Sequence, residues 1–232
     1  MVLPDKAILQ QLIRQVEAYA FSTQSEQTEE RLRKLVAAFC DDSQVKAFMQ
    51  QMPAVRQALL TDVDALLQND PAATGREEVI ACYPGITAML HYRTAHVLHT
   101  LGVPIVPRMI TEIAHSCTGI DIHPGAQIGN YFAIDHGTGV VIGATTIIGN
   151  HVTLYQGVTL GAKNFKYDEN GCPRDMPRHP IIEDNVTIYS NTTILGRVRI
   201  GHDTVIGGNC WVTHEVAPHS IVKQSPTFHG IG

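Results

Sequence analysis

The chain is 232 residues long, with 22 acidic against 17 basic side chains and a formal charge of −5. At 44% apolar and 17% charged it has the balance of a globular protein of one large or two small domains, not of a disordered one. No clustering of Lys and Arg offers a nucleic-acid footprint, and no apolar run nears the roughly 18 residues that suggest a membrane span. The opening MVLPDKAILQQLIRQ lacks the basic and then apolar regions of a secretory signal. The cysteines (Cys40, Cys82, Cys117, Cys172, Cys210) are odd in number and form no C-x-x-C, which predicts scattered thiols in a reducing cytoplasm.

The first half carries helical signals. Ile8, Leu9, Leu12, Ile13, Val16 and Tyr19 recur at three-to-four spacing and line one helix face. A second helix is predicted from about residue 28 to 39 and a third from about 53 to 67. GITAMLHYRTAHVLHTLG reads as a further helix stopped by Gly102 at the C′ position, and PRMITEIAHSC as the last. An all-α domain over residues 1–118 is expected, followed by a second domain over 119–232.

From Ile122 the period becomes six. Ile122, Ile128 and Ile134 are followed, after two extra residues, by Ile142, Ile148, Leu154 and Leu160. The series resumes at Ile182, Ile188, Ile194, Ile200, Ile206 and Val212. A six-residue apolar repeat with small or turn-forming residues between anchors marks a parallel β-helix, each anchor buried against the coils above and below. The two interruptions are loops, and loops carry function. One lies within 134–142 and contains Asp135 and His136. The other, AKNFKYDENGCPRDMPRHP over 162–180, ends in Arg178 and His179.

DIHPGAQIG, DHGTGVVIG, GVTLG and RHP, in this order on hexapeptide repeats behind a helical domain, resemble the serine O-acetyltransferases over roughly residues 70–215. The resemblance implies an α+β protein whose β-helix is left-handed. It also implies assembly as a homotrimer or dimer of trimers, and acetyl transfer from acetyl-CoA to L-serine at the start of cysteine biosynthesis. The chemistry needs a base near the alcohol, alignment with the thioester and stabilisation of an oxyanion. By the resemblance His136 is the base. Asp121, fifteen residues earlier and so near one 18-residue coil before it, is its orienting partner, and His179 contacts substrate and the developing charge. Asp70 and Asp135 are implied to hold the serine ammonium and Arg178 its carboxylate, a pairing suited to a bidentate guanidinium. Gly161 and Ala162 match contacts to the pantetheine arm, and Ser190 and Gly208 match further cofactor contacts.

Each residue also has a plainer reading. His136 would merely end a strand, and Asp121 would make an Asx turn. Asp70, before Pro71, would be an N-cap, Arg178 a solvated charge, and the four cofactor positions small turn residues. The 162–180 loop carries Lys163, Lys166 and Cys172 where a short Gly-rich link is common. The ending PTFHGIG lacks the isoleucine through which many members dock O-acetylserine sulfhydrylase, so that partner is discounted. Homoserine remains an alternative acceptor. A zinc enzyme of γ-carbonic-anhydrase type is a rival suggested by twelve histidines, His214 and His219 among them, but no metal is expected; a non-catalytic scaffold would leave both charged histidine loops unexplained.

Overall fold

The computed structural model describes residues 3–22, 25–163, 169, 171 and 176–224; Lys166 and Cys172 lie outside them. Six helices come first: α1 (Lys6–Phe21), α2 (Glu26–Val36), α3 (Asp42–Asn69), α4 (Arg76–Cys82), α5 (Pro84–Thr100) and α6 (Val106–Thr118). α1 buries Leu9, Leu12, Ile13, Val16 and Tyr19, the stripe that its spacing predicts. Gly102 takes φ 74° just past α5, as expected of a C′ glycine.

α3 corrects the predicted third helix. It begins eleven residues before Pro53, at a capping box in which Asp41 and Gln44 satisfy each other's backbone N–H groups. Pro53 lies inside it, where the burial of Phe48, Met49 and Met52 on the preceding turns outweighs the lost hydrogen bond. The seven-residue α4 had no periodic signal to announce it.

A buried ion pair ties the helices to the second half of the chain. Arg93 of α5 grips both carboxylate oxygens of Asp62 in α3 at 2.7 and 2.8 Å and donates to the Gly129 carbonyl at 2.7 Å. Asp62 also accepts from the Phe132 N–H at 3.1 Å. Asp62 is fully buried, so removing either partner would strand a charge, a loss of about 3–5 kcal/mol. The clamp fixes the end of α3 against the chain just before Asp135.

The second half is a parallel β-helix. Its coils are β1 (Asp121–Ile122), β2 (Gln127–Ile128) and β3 (Ala133–Asp135); β4 (Val141–Ile142), β5 (Ile147–Ile148) and β6 (Thr153–Tyr155); β7 (Thr159–Gly161), β8 (Ile181–Ile182) and β9 (Thr187–Ile188); β10 (Thr193–Leu195), β11 (Arg199–Ile200) and β12 (Val205–Ile206); and β13 (Trp211–Val212) with β14 (Ile221–Val222). They stack into three sheets, I (β1-β4-β7-β10-β13), II (β2-β5-β8-β11) and III (β3-β6-β9-β12-β14), the faces of a triangular rod. Twelve of the thirteen anchors are buried; Ile128, on the first coil of sheet II, is half-buried beside α5. One apolar cluster runs from Leu9 through α5 to Val216, so helices and rod share a core.

Candidate active site

Strand register locates the first interruption to the residue. Asp121 pairs with Val141 and Asp135 with Tyr155, twenty residues apart, whereas Val141 pairs with Thr159, eighteen apart. The two additional residues fall between Asp135 and Thr138: they are His136 and Gly137. Both take positive φ, 55° and 81°. This left-handed pair lifts the imidazole off the III/I corner, leaving its side chain 71% exposed. Glycine is required at 137, where a Cβ would stand 2.5 Å from Ile120 Cδ1.

Around His136 gather the acids. Asp135 Oδ1 lies 3.9 Å from His136 Nδ1. Asp70 caps the C-terminus of α3, not the N-terminus of a helix as its plainer reading had it, since α4 starts only at Arg76. Its carboxylate accepts from the Ala72 N–H at 2.8 Å and from the Tyr83 hydroxyl. The Tyr83 bond foremost, then that N–H, hold Asp70 below the usual carboxylate range, and nearby His136 adds to this. The same bond, with a smaller push from Asp135, sends the Tyr83 phenol up to about 12. Tyr155, one coil above Asp135, stacks on Tyr189 with ring centroids 4.9 Å apart. Tyr83 and Tyr155 carry no motif, and nothing in the sequence singled them out.

The second interruption opens a different corner. Ile147 pairs with Ile181, thirty-four residues on, so sixteen residues are additional to an eighteen-residue coil and the loop re-enters at the I/II corner. There His179 is buried, and its Nδ1 receives the Thr145 N–H at 3.1 Å with the Thr145 hydroxyl at 2.9 Å. That hydroxyl accepts the N–H groups of Arg178 and His179 at 2.9 and 3.2 Å. Gly143 lies beneath the ring; a Cβ there would stand 1.9 Å from His179 Cδ2. Burial foremost, then Arg178, His123 and Arg197, push the His179 imidazole down to about 4.

Asp121 departs from expectation. Its Oδ1 meets Arg108 of α6 at 3.1 Å, and no hydrogen bond or ion pair joins it to His136 among the described residues. The expected neighbourhood assumed eighteen residues per coil, and His136 is itself part of the excess. Asp121 stands on sheet I, where its charge acts on His123. The four positions expected to meet the cofactor divide in the same way: Gly161 and Ala162 at the I/II corner, Ser190 and Gly208 stacked at the III/I corner, where a Cβ at 208 would lie 3.2 Å from the Ser190 carbonyl oxygen.

Most of the other described histidines have local partners. His91 and His96 bond through Nδ1 to the Thr87 and Pro124 carbonyls at 2.7 and 2.8 Å. His219 faces His202 edge-on across Asp203, whose Oδ2 is 2.7 Å from His202 Nδ1; the grouping is exposed and lies at the II/III corner, away from both half-sites.

Burial is the first cause that holds His91, His96, His123 and His179 below the ordinary imidazole value of 6.5. The folded protein therefore keeps these rings neutral while the unfolded chain takes up protons as pH falls through about 6.5. The unfolded state then binds more protons, so stability is lost from about pH 6.5 down towards 4. The midpoint of urea unfolding is expected to be lower at about pH 5 than at about pH 7.5; an equal or higher midpoint would contradict this electrostatic picture.

A helical segment on a β-helix of hexapeptide repeats, with histidines on both insertions, defines a hexapeptide-repeat transferase, and residues 179–214 match the bacterial transferase hexapeptide (six repeats) model. The chain is 51% identical over 181 residues to the plasmid serine acetyltransferase of Synechococcus elongatus, covering 78% of this chain and 57% of that protein. It is 43% identical over 164 residues to the serine acetyltransferase of Helicobacter pylori, covering 70% of this chain and 91% of that one. Of solved structures, serine acetyltransferase 1 of Entamoeba histolytica in complex with L-cysteine superposes with a TM-score of 0.84 at 36% identity, over 96% of this chain and 88% of that one. The serine acetyltransferase of Neisseria gonorrhoeae in complex with serine gives 0.72 at 26%, over 94% and 82%. The chain belongs to the serine acetyltransferase family, and its β-helix is left-handed. The match spans little more than half the length of two curated relatives, 57% of the Synechococcus plasmid protein and 54% of a Synechocystis serine acetyltransferase.

Proposed function

We propose that the protein transfers the acetyl group of acetyl-CoA to the hydroxyl of L-serine, giving O-acetylserine and free coenzyme A. The observation that carries this reading is the pairing of an exposed, inserted histidine with two acids at one corner of the rod and a buried histidine with an arginine at another. Asp70 and Asp135 offer an ammonium two carboxylates; Arg178 offers a carboxylate its guanidinium. An amino acid with a short side chain, held at both ends, would present its hydroxyl to His136. Relatives crystallised with serine and with L-cysteine support an acceptor of this size.

His136 takes the hydroxyl proton as the serine oxygen attacks the thioester carbonyl carbon. The resulting oxyanion is met by a donor at His179. The intermediate collapses with cleavage of the C–S bond, and the imidazolium returns its proton to the departing thiolate.

In one chain the two half-sites stand at opposite edges of sheet I, so a complete site needs a second copy packed with its I/II corner against the III/I corner of the first. Sheet I is suited to such contact: Val141 and Trp211 on its outer face are 37% and 69% exposed. Asp121, on the same sheet, would then reach His136 of the neighbouring copy, which restores its reading as the orienting partner in trans. The split of Gly161 and Ala162 from Ser190 and Gly208 fits acetyl-CoA lying in the groove between copies. The assembly in this reading is a trimer or a dimer of trimers, working in the cytoplasm; among the described residues no helix is long and apolar enough to cross a membrane.

Coenzyme A release from acetyl-CoA, followed with serine, homoserine, threonine and ethanolamine, tests the reading. Release is expected to be fastest with serine and to be lost with ethanolamine, which has no carboxylate for Arg178. A preference for ethanolamine or homoserine would overturn the acceptor assignment.

A further inference from the structure

We infer that Thr145 is the positioning residue that holds His179 as its Nε2–H tautomer, making it a hydrogen-bond donor to the reacting carbonyl oxygen and not a second base. A backbone N–H can only donate, and the Thr145 N–H points at His179 Nδ1 at 3.1 Å, so Nδ1 carries a lone pair. The Thr145 hydroxyl, 2.9 Å from the same nitrogen, is then also a donor to it. In a neutral ring the proton is left on Nε2. Protonating Nδ1 would set its N–H against two donors, a geometric obstacle to the imidazolium that acts alongside burial.

The hydroxyl is used to capacity. While it donates to Nδ1, its two lone pairs accept the N–H groups of Arg178 at 2.9 Å and His179 at 3.2 Å. One side chain on the second coil thus seats the backbone of both functional residues one coil above and sets the ring between them. The carbonyls of Thr145 and His179 are held in turn by Arg197 Nη1 at 2.7 and 3.0 Å. From below, the ring edge fills the space a side chain at 143 would need: a Cβ there would come within 2.1 Å of Nε2. The ring is buried on this seat, and its low affinity for protons agrees with a group that stays neutral across the working pH range.

The identity of the oxygen that His179 faces rests on the acetyl-transfer reading above; the tautomer does not. The test is nitrogen-15 NMR of the full chain labelled at histidine, with the His179 signals identified by their loss in His179→Gln. Between about pH 6 and 9 Nδ1 is expected to resonate as an unprotonated ring nitrogen and Nε2 as an N–H. A protonated Nδ1 would overturn the inference whether or not the enzyme acts on serine. Kinetics test the positioning. Thr145→Val keeps the size and the backbone N–H but removes the hydroxyl, and is expected to lower kcat about tenfold or more, a lost donor to an oxyanion being worth roughly 10²–10³. The KM for acetyl-CoA should hold, and Thr145→Ser should restore kcat. A Val variant with wild-type kcat, or a Ser variant as slow as the Val one, would overturn it. Should the Val variant not fold, the wild-type tautomer and the Ser variant's kcat decide it.

Discussion

Replacing His136 with alanine is expected to lower turnover by roughly 10²–10⁴, the scale on which a general base contributes. The side chain is 71% exposed and carries no packing load, so thermal unfolding should be unchanged. Acetyl-CoA affinity should also hold, because the four positions assigned to the cofactor lie on other residues of the two corners. The expected signature is a fall in kcat without a matching rise in the KM for acetyl-CoA. The same change at His179 should act differently. That ring is buried against Gly143 and Thr145, so alanine there leaves a void and is expected to cost stability as well as rate. Near wild-type turnover in His136→Ala would reject the base assignment.

The architecture was legible because a six-residue period has no helical or ordinary strand counterpart, and each anchor is buried against its neighbours in stacked coils. The breaks in that period pointed to the candidate site for the same reason: regular coils need no additions. Register shows that the additions at the first break are His136 and Gly137 themselves. At Asp121 a regular coil length was assumed across an irregular coil, so spacing set it beside His136 of the same chain, where its carboxylate meets Arg108 instead. The start of α3 was hidden because Pro53 is a stronger local signal than the buried side chains upstream that override it. Thr145 and Gly143 carry no motif in the sequence, since their contacts arise from a coil thirty-four residues after Thr145. Tyr83 and the Asp62–Arg93 pair are of the same kind, being contacts between elements with no local pattern.

The proposed function rests on the separation of two corners of one rod. His136 with Asp70 and Asp135 lies at one edge of sheet I, and Arg178 with His179 lies at the other. In the proposed reading the chain acts as an assembly, each site taking one corner from each of two copies. Complementation between inactive variants measures this directly. His136→Ala protein and His179→Ala protein are each expected to be nearly inert. When mixed, dissociated and reassembled, copies of the two kinds meet at shared interfaces, and some sites receive an intact His136 from one chain and an intact His179 from its neighbour. Coenzyme A release on serine is predicted to rise well above that of either variant treated alone, in proportion to the mixed interfaces. If reassembled mixtures that demonstrably contain both chains stay at the level of the separate variants, the shared site is wrong and both histidines act within one chain or not at all.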